Sequence, residues 1–156
     1  MYLWLKFLHV LAVVMFLGNI VTGVFWHRHA LRTRDPKLLA HAMDGVRRSD
    51  RLFTMPGVFL ILGSGIWAAI QAGFPLLGTP WILWTIVLFA VSGITFGTRI
   101  APIQKQLHAF AEAGTRRGAF DLAAYERLSK RWEFWGWVAI VTPVAGVALM
   151  VLKPAL

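Results

Sequence analysis

The chain contains no cysteine, which excludes disulfides, thiolate nucleophiles, iron–sulfur clusters and cysteine-based zinc sites. Acidic residues are also scarce, with 7 Asp and Glu against 16 Lys and Arg in 156 residues. The sequence carries no hydrolytic triad, glycine-rich phosphate loop or His-Glu-x-x-His motif. These absences exclude the familiar soluble catalytic centres, and they leave open whether the protein is an enzyme of another kind.

Apolar residues dominate the composition. They make up 58% of the chain and charged residues 15%, whereas about a quarter of a soluble domain is charged. Four apolar runs each reach the roughly 20 residues that a helix needs to cross a bilayer. The first run is longer than the apolar region of a signal peptide, so we expect it to stay uncleaved. We therefore predict one integral membrane domain over residues 1–156, with spans at Tyr2–Trp26, Leu52–Gln71, Trp81–Ala101 and Trp132–Leu152.

The basic residues are concentrated in two segments. Fourteen of the 16 Lys and Arg lie in His27–Arg51 and Arg99–Arg131, and Gly73–Thr79 carries no charge. Basic loops stay on the cytoplasmic side of a membrane, so we expect a bacterial inner-membrane protein with both termini outside. The basic residues that give the chain its net charge of +9 lie next to apolar runs. This position favours anionic lipid headgroups as the partner and disfavours nucleic acid.

Capping signals predict that the helices extend beyond the membrane on the basic side. Asp35 precedes Pro36, and Asp121 precedes another amphipathic segment; both are typical N-caps. We expect Gly114 to end the helix that follows the third span. The predicted fold is all-α: a four-helix transmembrane bundle of two long antiparallel hairpins with helical cytoplasmic extensions.

Two features bear on how the spans pack. Gly93 and Gly97 form a GxxxG motif in the third span, which favours a close helix–helix contact and allows a homo-oligomer. Pro143 lies within the fourth span and leaves the carbonyl of Ala139 without its helical donor. We expect a neighbouring group to bond to that carbonyl.

His9 is the one imidazole within a predicted span, and ionisable groups in spans usually face the bundle interior. We expect His9 to point toward the third or fourth span, with Asn19 or Thr22 near any ligand that it holds. The alternative is a neutral histidine bonded to a neighbouring Thr or backbone carbonyl. Glu133, the second residue of the fourth span, is the one acid within the predicted spans, so a carboxylate proton relay is not expected. The other four histidines lie among arginines on the basic side, where a solvated face is favoured over a metal or pH-sensing site.

Several motifs resemble a family of uncharacterised small bacterial integral membrane proteins with four spans. They are Leu5–Val10, Phe16–Asn19, Asp35-Pro36 and Asp50–Gly57. More distantly, Lys6–Val10 resembles the first helix of HemJ-type protoporphyrinogen oxidases and CopD-like membrane proteins. The HemJ-type resemblance implies that His9 is an axial ligand of haem iron. Gly23, Val24 and Phe25 stand where that family has a Pro-Arg pair, so protoporphyrinogen oxidation is not implied.

Two functions compete at this point. The first is a non-enzymatic transport or partner-binding module. The alternative is a haem-b-binding redox or haem-handling protein with His9 as the proximal ligand. No second histidine lies within a facing span, so such a haem would be five-coordinate or would take Met, Lys or water as its sixth ligand.

Overall fold

Four long α-helices form the structure, a computed structural model that describes residues 1–154. Connections of residues 32–35, 72–79 and 118–121 make consecutive helices run antiparallel, and no strand occurs within the described part of the chain. The all-α prediction and its four apolar spans are confirmed. The helices are α1 (Tyr2–Leu31), α2 (Pro36–Gln71), α3 (Pro80–Arg117) and α4 (Leu122–Leu152).

Side-chain caps begin α2 and α4. The carboxylate of Asp35 accepts the backbone N–H of Lys37 at 2.8 Å, and that of Asp121 accepts the N–H of Ala124 at 2.9 Å. Both predicted caps are therefore confirmed. The prediction for Gly114 is wrong, because α3 continues to Arg117 and ends at Gly118, whose φ of 64° is the left-handed conformation that a helix C-terminus favours.

The bundle has two chemically different ends. The basic end carries the connections 32–35 and 118–121, and the terminal end carries the connection 72–79, the start of α1 and the end of α4. At the basic end, Pro36–Ser49 packs against Ala101–Arg117. Toward the terminal end, α1 packs on Met55–Gln71 and α4 packs on Pro80–Thr95, but the backbones of those two α2 and α3 segments do not approach within 8 Å. The two hairpins therefore diverge on this side.

Large apolar side chains cover the outer surface of the spans. Leu3, Trp4, Phe59, Val151 and Leu152 each expose more than 70% of their area. A soluble protein rarely shows such a continuous apolar surface, whereas hydrocarbon chains of lipid solvate it without cost. This surface, together with the four candidate spans, identifies a multi-pass integral membrane protein.

The main apolar core lies in the half of the bundle nearer the basic end. Leu39, Met43, Leu107, Ala111 and Tyr125 are completely buried there. A smaller core, made of Ala12, Phe16 and Ile61, joins α1 to α2 in the terminal half.

A hydrogen bond between α3 and α4 replaces the backbone donor that the proline in α4 removes. The hydroxyl of Ser92 on α3 donates to the carbonyl of Ala139 at 2.9 Å. That carbonyl is the one that Pro143 leaves without a helical donor. The expectation that a neighbour bonds to this carbonyl is confirmed.

Candidate functional site

A π-helical turn places an acidic residue inside the bundle. Asp50–Thr54 of α2 forms one such turn, and Phe96–Ile100 of α3 forms another. A π-turn inserts an extra residue into a helix, and such turns are frequent at functional sites. Asp50 is 7% exposed and Thr54 is 2% exposed, although the chain reaches its apolar run only at Leu52.

Four polar side chains from three helices meet at this turn, and we name them the Asp50 cluster: Asn19, Asp50, Thr54 and Gln104. Asp50 Oδ1 accepts from Asn19 Nδ2 at 3.1 Å and from Thr54 Oγ1 at 2.9 Å. Asp50 Oδ2 accepts from Gln104 Nε2 at 2.9 Å. Asn19 Nδ2 also donates to Thr54 Oγ1 at 2.9 Å. The cluster thus joins α1, α2 and α3 through one carboxyl group.

The carboxyl group of Asp50 has only neutral hydrogen-bond partners. Within residues 1–154, the ion pairs that form are Arg28–Glu133, Asp44–Arg48 and His108–Glu112, and none includes Asp50. Burying an ionised carboxylate without a counter-charge is costly, although hydrogen bonds offset part of that cost. Asp50 is therefore an acid that is buried without a counter-charge, although the chain has a net charge of +9.

A cavity of about 180 Å³ adjoins the Asp50 cluster. All four helices line it, and most of its wall is apolar apart from the cluster and Ser92. Phe16 and Phe89 lie on its terminal side, with ring centroids 5.5 Å apart. Trp132, Val46 and Ile100 lie on its basic side. The cavity is therefore a chamber near the middle of the bundle that is apolar on most sides and polar where the Asp50 cluster lies.

A second group of buried polar side chains lies closer to the basic end. His27 is fully buried, and its Nε2 lies 2.7 Å from Ser129 Oγ. The expected solvated face is wrong for this histidine, because α4 packs Tyr125, Ser129 and Trp132 along one side of it. Among the described side chains, His27 Nδ1, Tyr125 Oη and Trp132 Nε1 are buried without a hydrogen-bond partner.

His9 lies outside the cavity and contacts α2. Its Nδ1 donates to the carbonyl of Ile61 at 2.9 Å, and Ser64 Oγ lies 3.4 Å from the same atom. Its ring lies against Gly65, where a Cβ would come within 2.7 Å of Cε1. The expected direction, toward the third or fourth span, is wrong because the absent side chain of Gly65 leaves room for the ring on α2. His9 instead corresponds to the alternative expectation, a histidine bonded to a neighbouring backbone carbonyl.

The residues around His9 do not fit a haem. The ring is held between α1 and the Ile61–Gly65 stretch of α2, and His9 does not line the central cavity. That cavity, at about 180 Å³, is also smaller than the roughly 300–1,000 Å³ typical of cofactor and ligand sites.

The structure does not bring the other sequence-derived site residues together with His9. Asn19 belongs to the Asp50 cluster, and Thr22 is exposed on the outer face of α1. Gly93, which also lines the central cavity, and Gly97 are exposed, and a Cβ added at either would meet nothing within 4 Å. Neither glycine therefore packs closely against another helix of this chain.

Sequence reasoning missed Asp50 because it placed the residue just before the second span. The available signal was the spacing of Asp50 and Thr54, four residues apart and on one helical face, immediately before Pro56 and Gly57. Gln104 was missed for the same reason, since it follows the third span. Only the packing of α1, α2 and α3 reveals that these groups share one site.

Comparison with known proteins supplies a family and no activity. No curated protein and no solved structure matches the chain. Residues 3–154 match the model of a family described as predicted integral membrane protein (DUF2269), which spans nearly the whole sequence. With its four apolar helices, the chain belongs to this family of integral membrane proteins.

Proposed function

We propose that this protein is a non-enzymatic transport module whose central cavity holds a small solute. The observation that carries the proposal is a chamber lined by all four helices and by a buried carboxyl group without a counter-charge. Ionisable residues inside membrane bundles typically mark solute or ion pathways. Packing against lipid does not by itself explain a buried carboxyl group beside a cavity.

The volume of the cavity limits what it can hold. At about 180 Å³ it has room for several water molecules. A small inorganic ion with a few waters fits this space, whereas most organic ligands do not. The acidic wall favours a cationic species over an anionic one.

Aromatic side chains close the chamber on its terminal side. Phe16 on α1 and Phe89 on α3 come from different hairpins, and their ring centroids lie 5.5 Å apart. A small rocking of one hairpin against the other would separate these rings while the basic-end core stays packed. Motion of one rigid unit against another around a fixed site is a recognised basis of alternating access.

We also propose that the protein lies in the bacterial inner membrane with the basic end in the cytoplasm. The positive-inside rule supports this orientation, because 14 of the 16 basic residues lie near that end. Reporter fusions at Gly118 and at Gly73 test it. We expect the Gly118 fusion to be cytoplasmic and the Gly73 fusion periplasmic; the reverse result would contradict the proposed orientation.

We propose two partners from the exposed residues of the surface. Anionic headgroups are expected at the basic end, where Arg48, Arg51, Arg116 and Arg117 are exposed. A second copy is expected on the face of α3 that exposes Gly93 and Gly97, because small residues allow two helices to approach closely. Cross-linking after cysteine replacement at Thr98, a neighbouring exposed position, tests the second contact.

Transport is tested in proteoliposomes. The purified protein is reconstituted, and fluxes of H⁺, Na⁺ and K⁺ are measured under an imposed membrane potential. We expect a cation flux that Phe16→Ala increases at least several-fold, because the aromatic closure is lost. Phe25→Ala is the matched control, since Phe25 is 61% exposed on the lipid side of the same helix and should leave the flux unchanged. Absence of flux for all three ions would contradict the proposal.

A further inference from the structure

We infer that the species handled by the cavity is the proton and that Asp50 Oδ2 is the atom that carries it, an inference that rests on the proposed transport function. The observation that leads to it is the set of atoms directed at the carboxyl group. Its hydrogen-bonding neighbours are two amide N–H groups and one hydroxyl, all of which donate.

This donor set is unsuited to a metal cation. Metal ions such as Na⁺ and Mg²⁺ take oxygen ligands, and Ca²⁺ requires six to eight of them. Here the amide nitrogens of Asn19 and Gln104 face the carboxylate at 3.1 and 2.9 Å. Their N–H groups therefore occupy the space in which a metal ion bound to the carboxylate would lie. Within residues 1–154, no group of three or more His, Asp or Glu could hold a metal ion.

The two carboxyl oxygens differ in their environment. Oδ1 accepts from both Asn19 and Thr54, whereas Oδ2 accepts only from Gln104. A carboxylate oxygen can accept two hydrogen bonds, so Oδ2 retains an unused lone pair. A proton bound at Oδ2 therefore disturbs the fewest existing contacts.

In the protonation step, hydronium gives the proton to Asp50 and water takes it back. Oδ2 gains an O–H bond, a hydronium ion becomes water, and the charge of Asp50 changes from −1 to zero. The reverse step returns the proton to water. The new O–H group needs an acceptor, and a water molecule in the adjoining cavity can accept from it while the Gln104 amide keeps its orientation. Proton binding and release thus require only the cluster and the waters for which the cavity has room.

Within the described residues, no other titratable side chain forms a hydrogen bond or an ion pair with the Asp50 carboxyl group. From α1 the facing group is Asn19, from α2 it is Thr54, and from α3 it is Gln104. The cavity wall contributed by α4 consists of Trp132, Gly136 and Ala139.

Within residues 1–154, none of the neighbouring charged or titratable groups pairs with Asp50. Arg48 pairs with Asp44 at 2.7 Å, Arg28 pairs with Glu133 at 2.8 Å, and the guanidinium of Arg99 lies 5.3 Å from the Trp135 ring. His27 bonds to Ser129. Arg47 is half-buried and Arg51 exposed on α2, and neither forms an ion pair with Asp50. A pH-dependent change in the cavity is therefore assigned to Asp50 itself.

Infrared difference spectroscopy of the reconstituted full chain tests the assignment. We expect a carboxylic-acid C=O band that disappears as pH rises, is present in the wild type and is absent from Asp50→Asn. Asp44→Asn is the matched control, because Asp44 lies on the same helix in a half-exposed ion pair, and it should retain the band. Gln104→Leu should shift the midpoint of the band to higher pH, because a hydrogen bond to the charged form is lost.

A proton flux measured in the same proteoliposomes separates the two proposals. Asp50→Asn should abolish the pH-driven flux, and Asp44→Asn should retain it. If the wild type carries protons and Asp50→Asn carries them equally well, the assignment to Asp50 is overturned while transport stands. If the band behaves as expected but no flux of any ion occurs, the protonation site stands and the transport proposal fails. Identical spectra of the wild type and Asp50→Asn would overturn the inference, whatever the flux.

Discussion

The two halves of the bundle are held together in different ways. Near the basic end, large side chains such as Leu39, Met43, Leu107 and Tyr125 are fully buried in one continuous core. In the terminal half, few side chains are buried, and the helices meet through small residues and through polar groups that bond to backbone carbonyls. The second kind of contact appears where His9 meets Gly65 and where Thr85 meets Gly146.

This contrast follows from the two solvents that surround the protein. A helix outside the hydrocarbon gains free energy by removing apolar side chains from water. A helix inside the hydrocarbon gains nothing from that exchange, so close backbone approach and interhelical hydrogen bonds decide its packing. Three carbonyls in the terminal half or beside the cavity accept such bonds, those of Ile61, Ala139 and Gly146.

The largest effect should come from truncating the basic-half core. Leu107 is fully buried, so Leu107→Ala should lower the free energy of unfolding by about 2–5 kcal/mol. The control is Leu3→Ala, which removes the same atoms from a side chain that is 74% exposed toward lipid. Unfolding in mixed detergent micelles measures both. Equal effects of the two substitutions would mean that the two halves do not differ as described.

An intermediate effect is expected from filling a helix contact in the terminal half. In Gly65→Ala the new Cβ would come within 2.7 Å of His9 Cε1, so the ring must move and its bond to Ile61 is strained. Overpacking of this kind costs about 1–3 kcal/mol. Gly97→Ala is the control, because nothing lies within 4 Å of its Cβ position, and it should gain up to about 1 kcal/mol from helix propensity.

Thermal unfolding of the two alanine variants at several protein concentrations sharpens this comparison. A loss of stability in Gly97→Ala that grows with protein concentration would place that glycine in a contact between copies. Equal stability of Gly65→Ala and the wild type would contradict the tight approach of His9 to α2.

The smallest effect should come from one hydrogen bond beside the cavity. Ser92→Ala removes the donor to the carbonyl of Ala139, at a cost of about 0.6 kcal/mol, the average for bonds between membrane helices. In the Pro143→Ala background, the restored backbone N–H can bond to the same carbonyl, so the cost of Ser92→Ala should fall toward zero. A double-mutant cycle measured by unfolding detects this coupling, and strictly additive effects would exclude it.

Local signals predicted the helical framework well. The caps at Asp35 and Asp121 depend on a side chain and a backbone N–H two or three residues away, so they can be recognised in the sequence. The free carbonyl of Ala139 follows from Pro143 for the same reason. Gly114 was misjudged because a second glycine, Gly118, follows four residues later and takes the left-handed conformation instead.

The candidate site was predicted poorly because it depends on contacts between distant segments. Asp50 bonds to Asn19, 31 positions earlier, and to Gln104, 54 positions later. His9 offered a clear local signal, an imidazole within an apolar run, but it bonds to the backbone of α2 instead of facing the cavity. Its environment is set by the missing side chain at Gly65, which no local pattern around His9 contains.

By itself, the sequence determined that this protein is a four-span helical membrane bundle with one strongly basic end. Hydrophobic run length and charge are properties of contiguous residues, and the bilayer acts on them directly. The tertiary structure alone decided that Asp50 is buried, that the hairpins diverge and that a chamber forms between them. Those features depend on which helix faces are brought together and on a π-turn that brings Asp50 into the bundle, and no single segment encodes them.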